Sequence, residues 1–244
     1  MLSTRQLTGL EDTHVVTIAD DEPNPRLQPI VVTAWQSMQQ AAAESGVTIA
    51  IASGFRDYAR QLAIWNRKYR GDTPLYNDRG DRLDASQMNS GEKLEAILTW
   101  SALPGASRHH WGTDFDVYDP RPFAQPDHPP LELTIAEYSE GGPCFSAYQW
   151  LVHHARDFGF FFPYARYLGG VASEPWHLSY APLALDYLPQ LTTETLKEAM
   201  TAAQQMGLEM EGYDYVVERL DDIKERYIDA ICHPDSTGND VWFG

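Results

Sequence analysis

Cysteine is scarce in this sequence: Cys144 and Cys232 are the two that occur in 244 residues. That excludes a disulfide scaffold or a thiolate zinc cluster as the basis of the fold. Whether the two pair with each other, or stay as buried thiols, is not legible from the sequence. Basic residues are scarce too. Lys and Arg number 18 against 35 Asp and Glu, a formal net charge of -17. Phosphate contacts need cations in excess, so nucleic acid is a poor partner, and anionic membrane surfaces are disfavoured for the same reason. The acidity reads as solubility. No run approaches the ~18 apolar residues of a membrane span. The first thirty residues carry Asp, Glu and Pro without an apolar core, so no secretory signal peptide is visible. The expectation is a mature or cytoplasmic form, or a chain given without its leader. Internal repeats and low-complexity tracts are also missing.

What is present is core-forming material. Hydrophobic residues make up 43% of the chain, ordinary for a globular protein, in a length that suits one large domain or two small ones. Residues 1–27, with Pro23 and Pro25, read as an irregular lead-in. Ile30, Val31, Ala34, Trp35, Met38, Ala41 and Ala42 recur at helical spacing and predict a helix over 27–45, stopped by Gly46. Residues 47–52 predict a strand, and Asp57 is the N-cap of a second helix reaching about Tyr69. Residues 71–90 read as a surface loop and 92–100 as a short helix. Residues 113–118 predict a strand with Asp114 and Asp116 on one face. Five prolines make 119–130 a loop. Further on, 145–158 predicts an amphipathic helix ended by Gly159. Residues 160–162 and 171–180 predict strands, the second interrupted by Pro175. Helices over 193–206 and 213–227 form a C-terminal extension, and Trp242 and Phe243 are candidates to dock the polar tail.

Two short segments carry chemistry. One is Ser107-Arg108-His109-His110-Trp111-Gly112-Thr113-Asp114-Phe115-Asp116; the other is Glu174-Pro175-Trp176-His177. Together they offer two imidazoles, a carboxylate and a spare carboxylate, the set that metal-assisted hydrolysis of a peptide needs. Three protein ligands leave one zinc position open for water, and the spare carboxylate can take a proton from it. His109 and Asp116 are seven residues apart across a glycine turn; His177 must be brought in by the fold. A lone histidine in a strand is more often a packed residue than a ligand, and a His–Asp pair at this spacing arises by chance. The ordered conjunction of S-x-H-x-x-G-x-x-x-D with a downstream E-x-W-H is far more specific. His153 and His154 on a helix read as an ordinary pair, and His14, His128 and His233 have no partner pattern.

This pattern resembles the VanY-type zinc D-alanyl-D-alanine carboxypeptidases, of the superfamily that shares its fold with lysostaphin and sonic hedgehog. The resemblance spans about residues 28–180. It includes a third element, Ser53-Gly54-Phe55-Arg56-Asp57-Tyr58-Ala59-Arg60-Gln61, similar to the family's S-G-[YF]-R-x-x-x-x-Q segment. It implies that His109, Asp116 and His177 hold Zn2+, that Glu174 is the catalytic base and acid, and that Arg56 stabilises the oxyanion or orients substrate. It places Ser107 and Gln61 near the substrate; Trp176 is a candidate for lining the cleft. The alternative for Arg56 is a structural ion pair. The family often has a small residue where this chain has Asp114, which is therefore either a partner for a ligand histidine or a competing ligand, as His110 competes with His109.

The expected fold is α+β: a small, mostly antiparallel sheet carrying the zinc ligands, flanked by helices. The expected organisation is a lead-in (1–27), a zinc peptidase domain (28–190) and a C-terminal helical extension packed on it (191–244). The expected activity is hydrolysis of the terminal D-Ala-D-Ala bond of peptidoglycan stem peptides or muropeptides. The same chemistry also serves an L,D-carboxypeptidase or an endopeptidase; a non-catalytic zinc module of the same fold is the reading from a different class. The substrate class implies the periplasm or cell envelope. Oligomeric state is not legible.

Overall fold

The structure, a computed structural model, describes residues 1–18 and 24–234. In chain order the first elements are α1 (Thr4–Leu7), β1 (Val16–Thr17), β2 (Arg26–Leu27), α2 (Pro29–Glu44), β3 (Ala50–Ser53) and α3 (Tyr58–Arg70). Next come β4 (Leu75–Tyr76), β5 (Arg82–Leu83), α4 (Ser90–Trp100) and β6 (Asp114–Tyr118). They are followed by α5 (Pro120–Phe123), α6 (Ile135–Tyr138), α7 (Phe145–His154), β7 (Phe160–Phe161) and β8 (His177–Tyr180). Helices α8 (Ala181–Tyr187), α9 (Thr193–Gln205), α10 (Tyr213–Glu218) and α11 (Leu220–Ile223) follow.

The central sheet is antiparallel, in the order β3-β6-β8-β7. Strand β6 is its pivot. Side chains alternate along a strand, so Phe115 and Val117 turn to one face while Asp114 and Asp116 turn to the other. On the apolar face, α2 supplies Val31, Trp35, Met38 and Ala42, a three-four spacing that buries one stripe of the helix. Trp35 meets Phe115 edge-on at 5.3 Å between ring centres, and Phe115 meets Phe160 in the same way. Emptying a site such as Trp35, which has no exposed surface, costs about 3–5 kcal/mol in comparable cores.

Helix α3 begins where Asp57 accepts a hydrogen bond from the Arg60 N–H at 2.7 Å and ends at Gly71, whose φ of 83° suits a left-handed stop. Its buried face (Tyr58, Leu62, Trp65) shares a second core with Leu196, Met200 and Ala203 of α9. Trp65 and Asn66 also donate to the carbonyls of Glu211 and Glu209. The C-terminal helices are thus fastened to the helix that follows the Arg56 segment.

Several elements differ from expectation. The lead-in is not irregular throughout: α1 carries a Ser3–Gln6 capping box, and Leu7 is buried in the α3–α9 core. The 71–90 loop contains a two-residue hairpin, β4 with β5; strands this short leave no alternation to read. In the 119–130 loop, Asp119 caps the short helix α5. The 145–158 helix leaves α geometry after His154 and finishes as a 3-10 turn before Gly159. Strand 171–180 is ordered as a strand only from His177: Ala172 and Glu174 direct their N–H groups to Thr99 and Tyr164 instead of a neighbouring strand. The single helix expected over 213–227 breaks at Arg219 and ends as a π-helical turn over Lys224–Asp229. Cys144 and Cys232 are both free and buried. The docking expected of Trp242 and Phe243 lies outside the described residues.

Candidate metal centre

Three elements deliver three side chains to one point. Asp116 comes from the middle of β6, and His177, at the start of β8, is its direct cross-strand partner. His109 comes from the 3-10 turn Arg108–Trp111 that precedes β6. That turn closes at Gly112 (φ 65°), where a Cβ would run into Val15 and crowd the backbone of Gln28, so glycine is required there on two counts. One donor atom from each of His109, Asp116 and His177 lies within 4.8 Å of the others, and all three residues are buried.

The hydrogen bonds show which atoms face inward. His109 Nδ1 is 2.8 Å from the Gly54 carbonyl, so it carries the proton and donates. Its Nε2, 3.6 Å from Asp116 Oδ2, is buried without a hydrogen-bond partner among the described residues. His177 Nε2 is 3.2 Å from Asp114 Oδ1, while its Nδ1 faces Asp116 Oδ1 at 3.5 Å and Glu174 Oε2 at 3.2 Å. Each imidazole is therefore oriented from behind by an oxygen and presents its other nitrogen to a shared gap, the arrangement that metal-ligating histidines adopt. An unsatisfied buried imidazole nitrogen is costly, and a cation bounded by Nε2, Nδ1 and a carboxylate would satisfy it. The donor set fits a metal.

Asp114 has a different role from Asp116, although both turn to the same face. Arg108 Nε donates to Asp114 Oδ1 at 2.7 Å, and Thr113 Oγ1 to its Oδ2 at 2.6 Å. Arg108 is held in turn by Ser179 Oγ at 2.6 Å and lies over the Trp111 ring. Burial raises the Asp114 carboxyl, but Arg108 and His177 outweigh it and hold it down at about 2. Burial pulls the His177 imidazole down, yet its bonds to Asp114 and Glu174 lift it to about 9 in the absence of metal. Asp116 lies below the usual carboxylate range: burial opposes this, and His109, His177 and Arg56 overcome it. His109 is lowered by burial and then by Arg56, which keeps it neutral as a ligand must be.

The other residues singled out from sequence distribute around this point. Glu174 packs beside His177, its backbone N–H donated to the Tyr164 carbonyl at 2.9 Å, and Tyr164 meets the His177 ring edge-on at 5.0 Å. Arg56 Nη2 is 3.8 Å from Asp116 Oδ2, its Nη1 reaches Gln61 Oε1 at 3.4 Å, and its Nε is unpartnered among the described residues. Gln61 itself is fully buried and donates to the Ala102 carbonyl. Ser107 is buried at the start of the 3-10 turn. Trp176 is packed between Trp100 and Tyr138. His110 does not compete as a ligand: Nδ1 bonds the Arg56 carbonyl and Nε2 accepts from Gly105 N–H. Sequence reasoning missed Arg108, Ser179 and Tyr164. Arg108 lies inside the first motif, but its partner Ser179 is 71 residues away.

The VanY model, described as D-alanyl-D-alanine carboxypeptidase, matches residues 24–183, well over half of the chain. The chain belongs to the VanY family. All the motif residues fall inside the matched span, and membership makes this a carboxypeptidase-like hydrolase. Among relatives, a Haemophilus influenzae protein of uncharacterized role is 41% identical over 103 residues, 42% of this chain and 70% of that one. A D-alanyl-D-alanine carboxypeptidase of Enterococcus faecalis is 28% identical over 181 residues, 73% of this chain and 52% of that one. The solved LdcB LD-carboxypeptidase shares the fold, with a TM-score of 0.51 and 22% identity, over 76% of this chain and 77% of its own.

Proposed function

We propose that the protein is a zinc-dependent carboxypeptidase that removes the last residue from D-Ala-D-Ala-terminated peptidoglycan stem peptides. The observation that carries this reading is the gap bounded by His109 Nε2, Asp116 and His177 Nδ1, with Glu174 Oε2 at its edge, 3.2 Å from His177 Nδ1. Two imidazoles and one carboxylate, with a second carboxylate alongside, match a catalytic rather than a closed structural zinc site. When bound, zinc supplies Lewis acidity, lowering the pKa of a water toward ~7 and polarising a carbonyl.

The remaining work belongs to side chains. Glu174 Oε2 accepts the proton that the attacking water loses and returns it to the amine nitrogen as the C–N bond breaks. The products are a shortened peptide with a new carboxylate and free D-alanine. Arg56, fixed at the edge of the gap by Asp116 and Gln61, faces the oxygen that gains negative charge. Asp114 and the Gly54 carbonyl hold the two imidazoles in the required tautomers. This substrate class would set the protein to work in the cell envelope.

The test is release of D-alanine from a pentapeptide muropeptide by zinc-loaded wild type and Glu174→Ala. The wild type should release it, and the variant should lose about 10²–10⁴-fold in kcat while keeping its metal. Release from a tetrapeptide but not a pentapeptide would move the reading to an L,D bond. Cleavage of cross-linked dimers alone would move it to an endopeptidase.

A further inference from the structure

Besides Arg56, a second cation outside both motifs lies on the helix that follows the Arg56 segment. Lys68 sits in the last turn of α3 and is partly buried. Its ammonium donates to Ser101 Oγ at 2.7 Å, and among the described residues no carboxylate forms an ion pair with it. The charges near enough to act on it are those of Glu174 and Arg56, two residues of the candidate site. Burial lowers it to about 8, so it is still mostly charged at neutral pH. A partly buried ammonium without a counter-ion is unfavourable, and a ligand carboxylate would relieve that cost.

Its position follows from helix geometry. Gln61 and Lys68 are seven residues, two turns, apart and lie on one face of α3, about 10 Å along its axis. Gln61 binds the Ala102 carbonyl and Lys68 the adjacent Ser101 hydroxyl, so one stretch of chain after α4 lines this face. Side chains on a helix lean toward its N terminus, which turns Lys68 back toward Arg56. Arg56 is engaged by Asp116 and Gln61 at the metal edge; Lys68 lies beyond it with an ammonium that has no acid of its own.

We infer that Lys68 and the Ser101 hydroxyl bind the free α-carboxylate of the substrate's last residue, and so make the site select chain ends. The inference rests on the peptidase reading above and deepens it by assigning the residue that separates exopeptidase from endopeptidase behaviour. Lys68 is then a binding residue that touches substrate one residue past the scissile bond, while Arg56 serves the reacting carbonyl. A different role, in which Lys68 only tunes Glu174, would alter kcat and its pH profile equally for free-acid and amidated substrates.

The test compares D-alanyl-D-alanine with its C-terminal amide, titrated into the zinc-loaded full chain carrying Glu174→Ala to prevent turnover. The parent should prefer the acid; adding Lys68→Met should weaken acid binding roughly tenfold or more, as loss of a charged hydrogen bond does, and leave amide binding unchanged. Lys68→Arg should keep the preference and show that the position tolerates substitution, and Ser101→Ala should fall between. In the Glu174-containing enzyme, Lys68→Met should raise KM for the free-acid pentapeptide with little change in kcat. A parent that fails to bind the acid or binds acid and amide alike, a Lys68→Met variant that retains the preference, or a loss shared by acid and amide overturns the inference. The peptidase reading fails separately, on absence of D-alanine release by wild type.

Discussion

Asp114 and Asp116 lie two residues apart on one face of β6 and are both buried, yet their surroundings are opposites. Asp114 is closely held: Arg108, Thr113 and His177 all bond it at 3.2 Å or less. Asp116 is left open: its carboxylate faces His109, His177 and Arg56 at 3.5–3.8 Å, each too long for a good hydrogen bond. The contrast is that of a brace and a socket. A carboxylate held by three short hydrogen bonds orients its neighbours; one surrounded by donors at a distance has room for a cation between.

The largest effect should come from unpairing the brace. Arg108→Met leaves Asp114 buried without its cation, and loss of one partner of a buried pair costs roughly 3–5 kcal/mol. Chemical denaturation should show that loss in the metal-free protein, where no ligand masks it. Asp114→Asn keeps the volume and removes the charge behind His177. It should weaken zinc binding by about 10–100-fold, read by competition with a chelator, without abolishing it. An unchanged affinity would mean that the brace does not act on the metal.

A smaller effect is a pH dependence confined to the metal-free protein. His177 at about 9 lies above its ordinary 6.5, so its extra proton stabilises the fold fully below pH 6.5, and that contribution is lost as pH rises toward 9. Lys68, lowered from 10.5 to about 8, acts oppositely: stability rises from about pH 8 as its buried charge is released. His14, His109 and His110 are held below 6.5 by burial, so each adds stability as pH rises through 6.5 and offsets part of the loss from His177. Between pH 7 and 8, where those histidines are mostly neutral in both states, the metal-free protein should therefore lose up to about 1 kcal/mol, while zinc-loaded protein, whose His177 cannot take that proton, should not. Asp114→Asn should flatten the metal-free slope. A thermal melt at three pH values decides it.

The brace and the socket were not equally legible in the sequence. His109, Asp116, Glu174 and His177 stand in two short motifs, and local signals also marked α2, through its Trp35–Met38–Ala42 stripe, and α3, through the Asp57 cap. What brings the motif residues together is the register of β6 against β8, which no local pattern encodes. Arg108 stood in plain view between Ser107 and His109, but an arginine is recognised as a brace only once Ser179 and Asp114 are beside it. Lys68 reads as one more charge at a helix end until Ser101 and Glu174 are placed. Hairpin β4–β5 was missed because two-residue strands leave no periodicity. The helix break at Arg219 was missed because apolar spacing continues across it while the backbone changes pitch.

The most direct test of the account is the zinc content of wild type, Asp116→Ala and Glu174→Ala, measured by elemental analysis alongside release of D-alanine. The account predicts about one zinc per chain in wild type and Glu174→Ala, little or none in Asp116→Ala, and activity in wild type alone. Full zinc occupancy in Asp116→Ala, or undiminished turnover by Glu174→Ala, would contradict it.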